Sequence, residues 1–120
     1  MTSEENAIVA SRARQYFNRQ CFLAASTPGV EDIERRHLIG VGNLLWGNDL
    51  PHPEGTFPYT RHWIRERFHD VPEDETRRIL GETAAEVYGV DRAALAPLVQ
   101  RIGPSHDEVY GDQTVVPAPA

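Results

Sequence analysis

Lysine is absent: all twelve basic side chains in the 120 residues are arginine. That choice changes pairing geometry and names no function. Cysteine occurs once, at Cys21, which excludes an intramolecular disulfide and a cysteine-built zinc module and suits a reducing cytosol. No apolar run approaches the ~20 residues that cross a bilayer. The start, Met1-Thr2-Ser3-Glu4-Glu5-Asn6, is acidic where a secretory signal is basic and then apolar. These absences predict a soluble, cytoplasmic protein with no membrane partner. Basic charge is also scarce, with 12 arginines against 18 acids for a net charge of −6. Nucleic-acid binding draws on a clustered basic surface, so no nucleic-acid partner is expected. What remains, 40% hydrophobic and 25% charged, is enough for one domain with a core.

Residues 1–15 read as a polar segment with a weak helical pattern at Ile8 and Val9. Cys21-Phe22-Leu23-Ala24-Ala25, stopped by Ser26-Thr27-Pro28-Gly29, predicts a buried strand with Cys21 as an inert buried thiol. A short helix over Val30 to His37 follows, and Leu44-Leu45-Trp46-Gly47 is too apolar to alternate faces. That pattern fits a parallel strand buried on both sides, so strand, helix and strand make one βαβ unit of an α/β fold. Three prolines and a glycine between Asn48 and Pro58 require a shaped loop. Beyond it, Tyr59/Trp63 and Ile64/Phe68 are helical pairs. A second helix after Pro72 carries Ile79/Leu80, Thr83/Ala84 and Val87/Tyr88 and stops at Gly89. Asp91 caps a last helix with a break expected at Pro97, and residues 105–120 read as a disordered tail.

Loops leaving the carboxyl ends of parallel strands hold the chemistry of such folds, which directs attention to Asn48 to Pro58. Asp49 stands at the strand end. A carboxylate there can ligate a divalent metal or act as a general base, and His52 can orient it, donate a hydrogen bond or carry a proton. Composition alone favours the plainer reading, in which both are polar turn residues beside prolines. His37, His62 and His69 lie on helices rich in Arg and Glu, where solvated imidazole is the default, and His106 falls in the tail.

The stretch Asn43-Leu44-Leu45-Trp46-Gly47-Asn48-Asp49-Leu50-Pro51-His52-Pro53-Glu54-Gly55-Thr56-Phe57-Pro58 resembles the last strand and following loop of the amidohydrolase-related family. These are TIM-barrel metal-dependent hydrolases and decarboxylases, including an aminocarboxymuconate-semialdehyde decarboxylase-like branch. Tyr16-Phe17-Asn18-Arg19-Gln20-Cys21-Phe22 resembles the penultimate-strand segment, and Arg78 to Gly89 resembles the closing helix. Arg101-Ile102-Gly103-Pro104 is similar to the C-terminal extension of one subgroup. The resemblance spans residues 12 to 108 and implies that Asp49 is a metal ligand and the acid/base for the attacking water or the substrate's proton. Asn48 and Leu50 stand where the family has Ser or Thr and Tyr or Phe, and Thr83 stands where it has Asn.

The resemblance also implies a His-x-His pair from the first strand and a further His from a middle strand, and the chain contains no His-x-His. A (β/α)8 barrel takes ~250 residues, so the expected fold is the C-terminal fragment of a TIM barrel over residues 16–104, about two parallel strands with covering helices. The implied activity is hydrolysis or non-oxidative decarboxylation of a small organic acid, with Asp49 and His52 as the site. The implied cofactor is a divalent metal, zinc or else manganese, once another segment supplies the remaining ligands. The open sheet edges predict self-association or pairing with a complementary N-terminal barrel segment. The alternative is a catalytically incomplete remnant or interaction subunit.

Overall fold

A computed structural model describes residues 1–112 of the chain. Helix α1, Ser3–Gln20, begins at a capping box: the Glu5 amide donates to the Thr2 hydroxyl at 3.2 Å and the Thr2 amide to the Glu5 carboxylate at 2.6 Å. It runs through position 15 without a break, so Tyr16 to Gln20 are helical rather than the approach to a strand. Buried Asn43 ties down the exit from α1, its amide donating to the carbonyls of Asn18 at 2.9 Å and Cys21 at 2.8 Å.

Strand β1, Leu23–Ser26, pairs in parallel with β2, Leu44–Gly47, in the register Leu23 to Leu44 through Ser26 to Gly47. Between them lie α2 (Val30–Glu34), α3 (Arg36–Ile39) and a 3-10 turn at Val41–Asn43. The expected single helix is split at Arg35, whose φ of −88° and ψ of 7° depart from helical values. Burial divides the strands unequally. Leu44 and Leu45 of β2 are buried, whereas Leu23 of β1 is 45% exposed. Cys21 is exposed too, which corrects the expectation of a buried thiol: it lies before the paired part of β1, directly after a helix that contributes no buried residue.

Helix α4, Thr60–Phe68, turns Ile64 and Phe68 inward, as the i,i+4 spacing predicts. After Pro72 one continuous coil runs as α5 (Glu73–Arg77), a π-helical turn (Arg78–Glu82) and α6 (Thr83–Tyr88), ending at Gly89 with φ +65°. Only a residue without a Cβ takes that left-handed cap cheaply. Helix α7, Arg92–Ile102, is capped by Asp91 and passes through Pro97 without the expected break. The helix tolerates the ring because α7 is exposed throughout, so water can serve the Ala93 carbonyl that would have accepted from position 97.

The core joins Ile33, Leu44, Ile64, Phe68, Val71, Ile79 and Val109, with Trp46 meeting Phe68 edge to face at 5.9 Å between ring centroids. Val109 belongs to α8, His106–Tyr110, which lies inside the segment expected to be a tail. Ser105 and Glu108 form its capping box. Arg65 donates to the carbonyls of Glu108 at 3.1 Å and Gly111 at 2.5 Å, Arg61 pairs with Glu108, and the Tyr110 hydroxyl donates to Thr76 at 2.8 Å. The expected tail is therefore structured as far as it is described, and positions 113–120 lie outside the described residues. No helix among the described residues is long and apolar enough to cross a membrane.

Candidate functional site

The two strands end at the same side of the sheet because they are parallel, and each end carries a non-glycine residue with positive φ: Thr27 at +53° after β1 and Asp49 at +57° after β2. Thr27 donates its amide to the Gly47 carbonyl at 3.0 Å, which sets the two exits side by side. Such backbone costs on the order of 1–3 kcal/mol for a β-branched residue and less for aspartate, and persists only where the surroundings impose it.

Around Asp49 the imposition comes from the loop's own main chain. The His52 amide donates to the Asp49 carbonyl at 2.8 Å, the Gly55 amide to the His52 carbonyl at 3.0 Å, and the Thr56 amide back to the Asn48 carbonyl at 2.9 Å. The Asn48 side-chain oxygen accepts from the Leu50 amide at 3.2 Å. Two nested turns thus fold the loop on itself. Gly55 is required at their centre: a Cβ there would stand 2.6 Å from the Asn48 carbonyl oxygen, 2.9 Å from that of Asp49 and 3.0 Å from that of His52. Thr56, 1% exposed, shares a hydrogen bond of 3.0 Å with the Thr60 hydroxyl and so locks the loop to the first turn of α4. The Leu50-Pro51 and Phe57-Pro58 peptides are cis.

The result is one side-chain pair. Nδ1 of His52 lies 2.9 Å from Oδ1 of Asp49, with the carboxylate 23% exposed and the imidazole 64% exposed. A neutral ring that donates from Nδ1 presents the lone pair of Nε2 outward, and a protonated ring presents an N–H there. The contact uses Oδ1 of Asp49 and leaves Oδ2 able to accept or take a proton. This is the equipment of an acid/base pair: a half-buried carboxylate oriented by an imidazole with a solvent-facing nitrogen.

The structure brings together both residues expected at the site and adds no other histidine to them. His37 faces Glu75 at 3.3 Å, His69 faces Asp70 at 2.9 Å and His106 faces Glu73 at 3.7 Å, all on other parts of the surface. Among the described residues no three His, Cys, Asp or Glu side chains converge as a metal site requires. Asp49 and His52 also spend one polar atom each on one another. A catalytic zinc takes three protein ligands and an open position, so these residues do not by themselves fit a divalent metal.

Sequence reasoning passed over the supports of the site. Thr56 and Thr60 act through a part-buried hydrogen bond and Gly55 through close backbone approach, and only Gly55 after the proline run carried a local signal. Arg67 is a further one: its guanidinium holds the Pro28 carbonyl just beyond Thr27 and lies over the Trp63 ring at 4.6 Å from the centroid.

Neither the curated proteins nor the solved structures contain a match to this chain. A family model described as amidohydrolase matches residues 34–90, the span that carries β2, the Asp49 loop and the helices from α4 to α6. That match supports a relationship between this chain and the amidohydrolases, metal-dependent hydrolases that are typically TIM barrels.

Proposed function

We propose that the chain is the closing piece of an amidohydrolase-type barrel, two parallel strands with their helices, and that it acts on a small organic acid by hydrolysis or non-oxidative decarboxylation once a complementary segment completes the pocket. The observation that carries this reading is the placement of Asp49: its carboxylate sits in the matched span, at the carboxyl end of β2, oriented by His52 at 2.9 Å. Asp49 takes the proton from an attacking water, or delivers one to the carbon that loses its carboxyl group. His52 holds the carboxylate's direction and exchanges that proton with solvent through Nε2. Such a family holds a divalent metal, and here its remaining ligands have to come from outside the described residues.

The decarboxylase-like branch is supported by the Trp46-Gly47-Asn48-Asp49-Leu50-Pro51-His52-Pro53-Glu54-Gly55 stretch. The second reading, an interaction subunit without its own metal site, is favoured by the lack of a third ligand beside Asp49 and His52 among the described residues. One experiment separates the two. The segment encoded immediately upstream is searched for a His-x-His pair and co-expressed with this chain, and the complex is assayed against carboxylic-acid and amide substrates with zinc or manganese. Turnover that requires both pieces supports the enzyme, and a stable complex without turnover supports the interaction subunit.

A further inference from the structure

Thr27 breaks three local rules at once. Its φ of +53° lies in the left-handed region, where a β-branched side chain crowds its own backbone. It precedes Pro28, and a proline ring drives the residue before it toward extended backbone. Its hydroxyl oxygen is buried and has no hydrogen-bond partner among the described residues. Asp49, at the exit of the neighbouring strand, differs on each count. Aspartate tolerates positive φ, Leu50 follows it instead of a proline, and its carboxylate is paired with His52.

The contacts that oppose these preferences are specific. The Thr27 amide donates to the Gly47 carbonyl at 3.0 Å, and one residue on, the Arg67 guanidinium grips the carbonyl of fully buried Pro28. Arg67 is itself held: its side chain is 10% exposed, pairs with Glu66 at 2.7 Å, and lies over the Trp63 ring at 4.6 Å from the centroid. The local sequence thus asks for an extended Thr27 while the fold keeps a left-handed one, which gives this residue two defined positions in place of general looseness. We propose that the exit of β1 is a conformational switch with Arg67 as its latch. Thr27 exchanges between the held left-handed position and an extended one, in which its amide leaves Gly47 and its hydroxyl is freed to bond at the mouth it shares with Asp49. Use of that hydroxyl on a substrate oxygen rests on the function proposed above; the switch itself does not.

Relaxation-dispersion NMR of the full chain, with no ligand added, tests it. Exchange on the microsecond-to-millisecond scale is expected at the Thr27, Gly29 and Gly47 amides. The Trp63 indole N–H should report the same rate, because the latch lies over its ring. Thr27→Gly takes positive φ freely and should lower the minor population at least about tenfold. Thr27→Val keeps the β-branch and should keep the exchange. A loop that is merely flexible gives the opposite order, since glycine would loosen it further. Circular dichroism checks that both variants are folded, and because each substitutes only Thr27, the latch stays intact in both. Flat dispersion profiles at these amides in the wild type overturn the proposal. So does exchange that grows in Thr27→Gly, or exchange at Thr27 that the Trp63 indole does not share.

Discussion

His52 meets Asp49 twice: its Nδ1 lies 2.9 Å from the Asp49 carboxylate, and its main-chain amide donates to the Asp49 carbonyl at 2.8 Å. Side chain and backbone of one residue therefore hold the other. In the completed enzyme, Asp49→Asn is expected to reduce kcat at least ~10²-fold with the fold unchanged, because the amide keeps the shape and loses the proton-accepting capacity. His52→Ala should cost less, since the backbone half of the contact survives. Steady-state kinetics with a circular dichroism control decide it, and an Asp49→Asn enzyme with most of its activity would return Asp49 to the status of a turn residue.

Gly55→Ala tests the loop itself. The added methyl meets three carbonyl oxygens at 2.6 to 3.0 Å, all backbone and none free to swing away. A loss of about 1–3 kcal/mol is expected, together with a changed exchange pattern at the amides of His52 and Thr56. Thermal unfolding and hydrogen exchange measure the two effects, and unchanged protection at Thr56 would mean the nested turns are not what orders the loop.

Asn43→Ala removes the donor shared by the Asn18 and Cys21 carbonyls. About 1–3 kcal/mol of stability should be lost, and helicity should fall as α1 frays from its carboxyl end. Far-ultraviolet circular dichroism at low protein concentration reads the helix directly; retained helicity would show that Asn43 serves only its own turn.

The anchorage of α8 should depend on acid. The Ser105 amide, first, and the Arg61 guanidinium hold the Glu108 carboxyl below its ordinary value. A carboxyl lowered on folding stabilises the folded chain above the ordinary glutamate range, near ~4.3, and that contribution is lost as pH falls through the lower folded value. Melting temperatures of the wild type should therefore drop on acidification below that range, and Glu108→Gln should start lower and show a shallower dependence. Parallel curves for the two proteins would remove Glu108 from the acid response.

Without the missing ligands the chain should bind zinc or manganese no more tightly than about micromolar, as two ligands rarely suffice. Titration calorimetry checks this, and a stoichiometric, tightly held ion would mean that the site is completed by a second copy or by positions outside the described residues.

What the residues announced on their own follows from local rules. Parallel pairing of β2 with β1 was legible because Leu44-Leu45-Trp46-Gly47 is too apolar for a half-solvated strand, and Gly89 marked the end of α6 because only a glycine caps cheaply there. The pairing of Asp49 with His52 was legible from spacing within one loop. Other features depended on partners far along the chain. Cys21 looks like core by composition, yet burial needs something to lie against, and Cys21 stands outside the β1–β2 pairing after a helix with no buried residue. Helix α8 looks like a tail because its length is trivial and its order comes from Arg61, Arg65 and Thr76, more than thirty residues away. Its one local sign, Ser105 followed three residues later by Glu108, is the capping pattern.

The loop from Asn48 to Thr56 closes on its own carbonyls, so its geometry travels with nine consecutive residues instead of being spread over the fold. Whatever completes the pocket meets the Asp49–His52 pair already set and has no ordering entropy of that loop to overcome. The same autonomy makes the segment a portable cassette. Moved to the carboxyl end of another parallel strand, ahead of a helix whose first turn offers a threonine hydroxyl, it should present a carboxylate and an imidazole in the same relation.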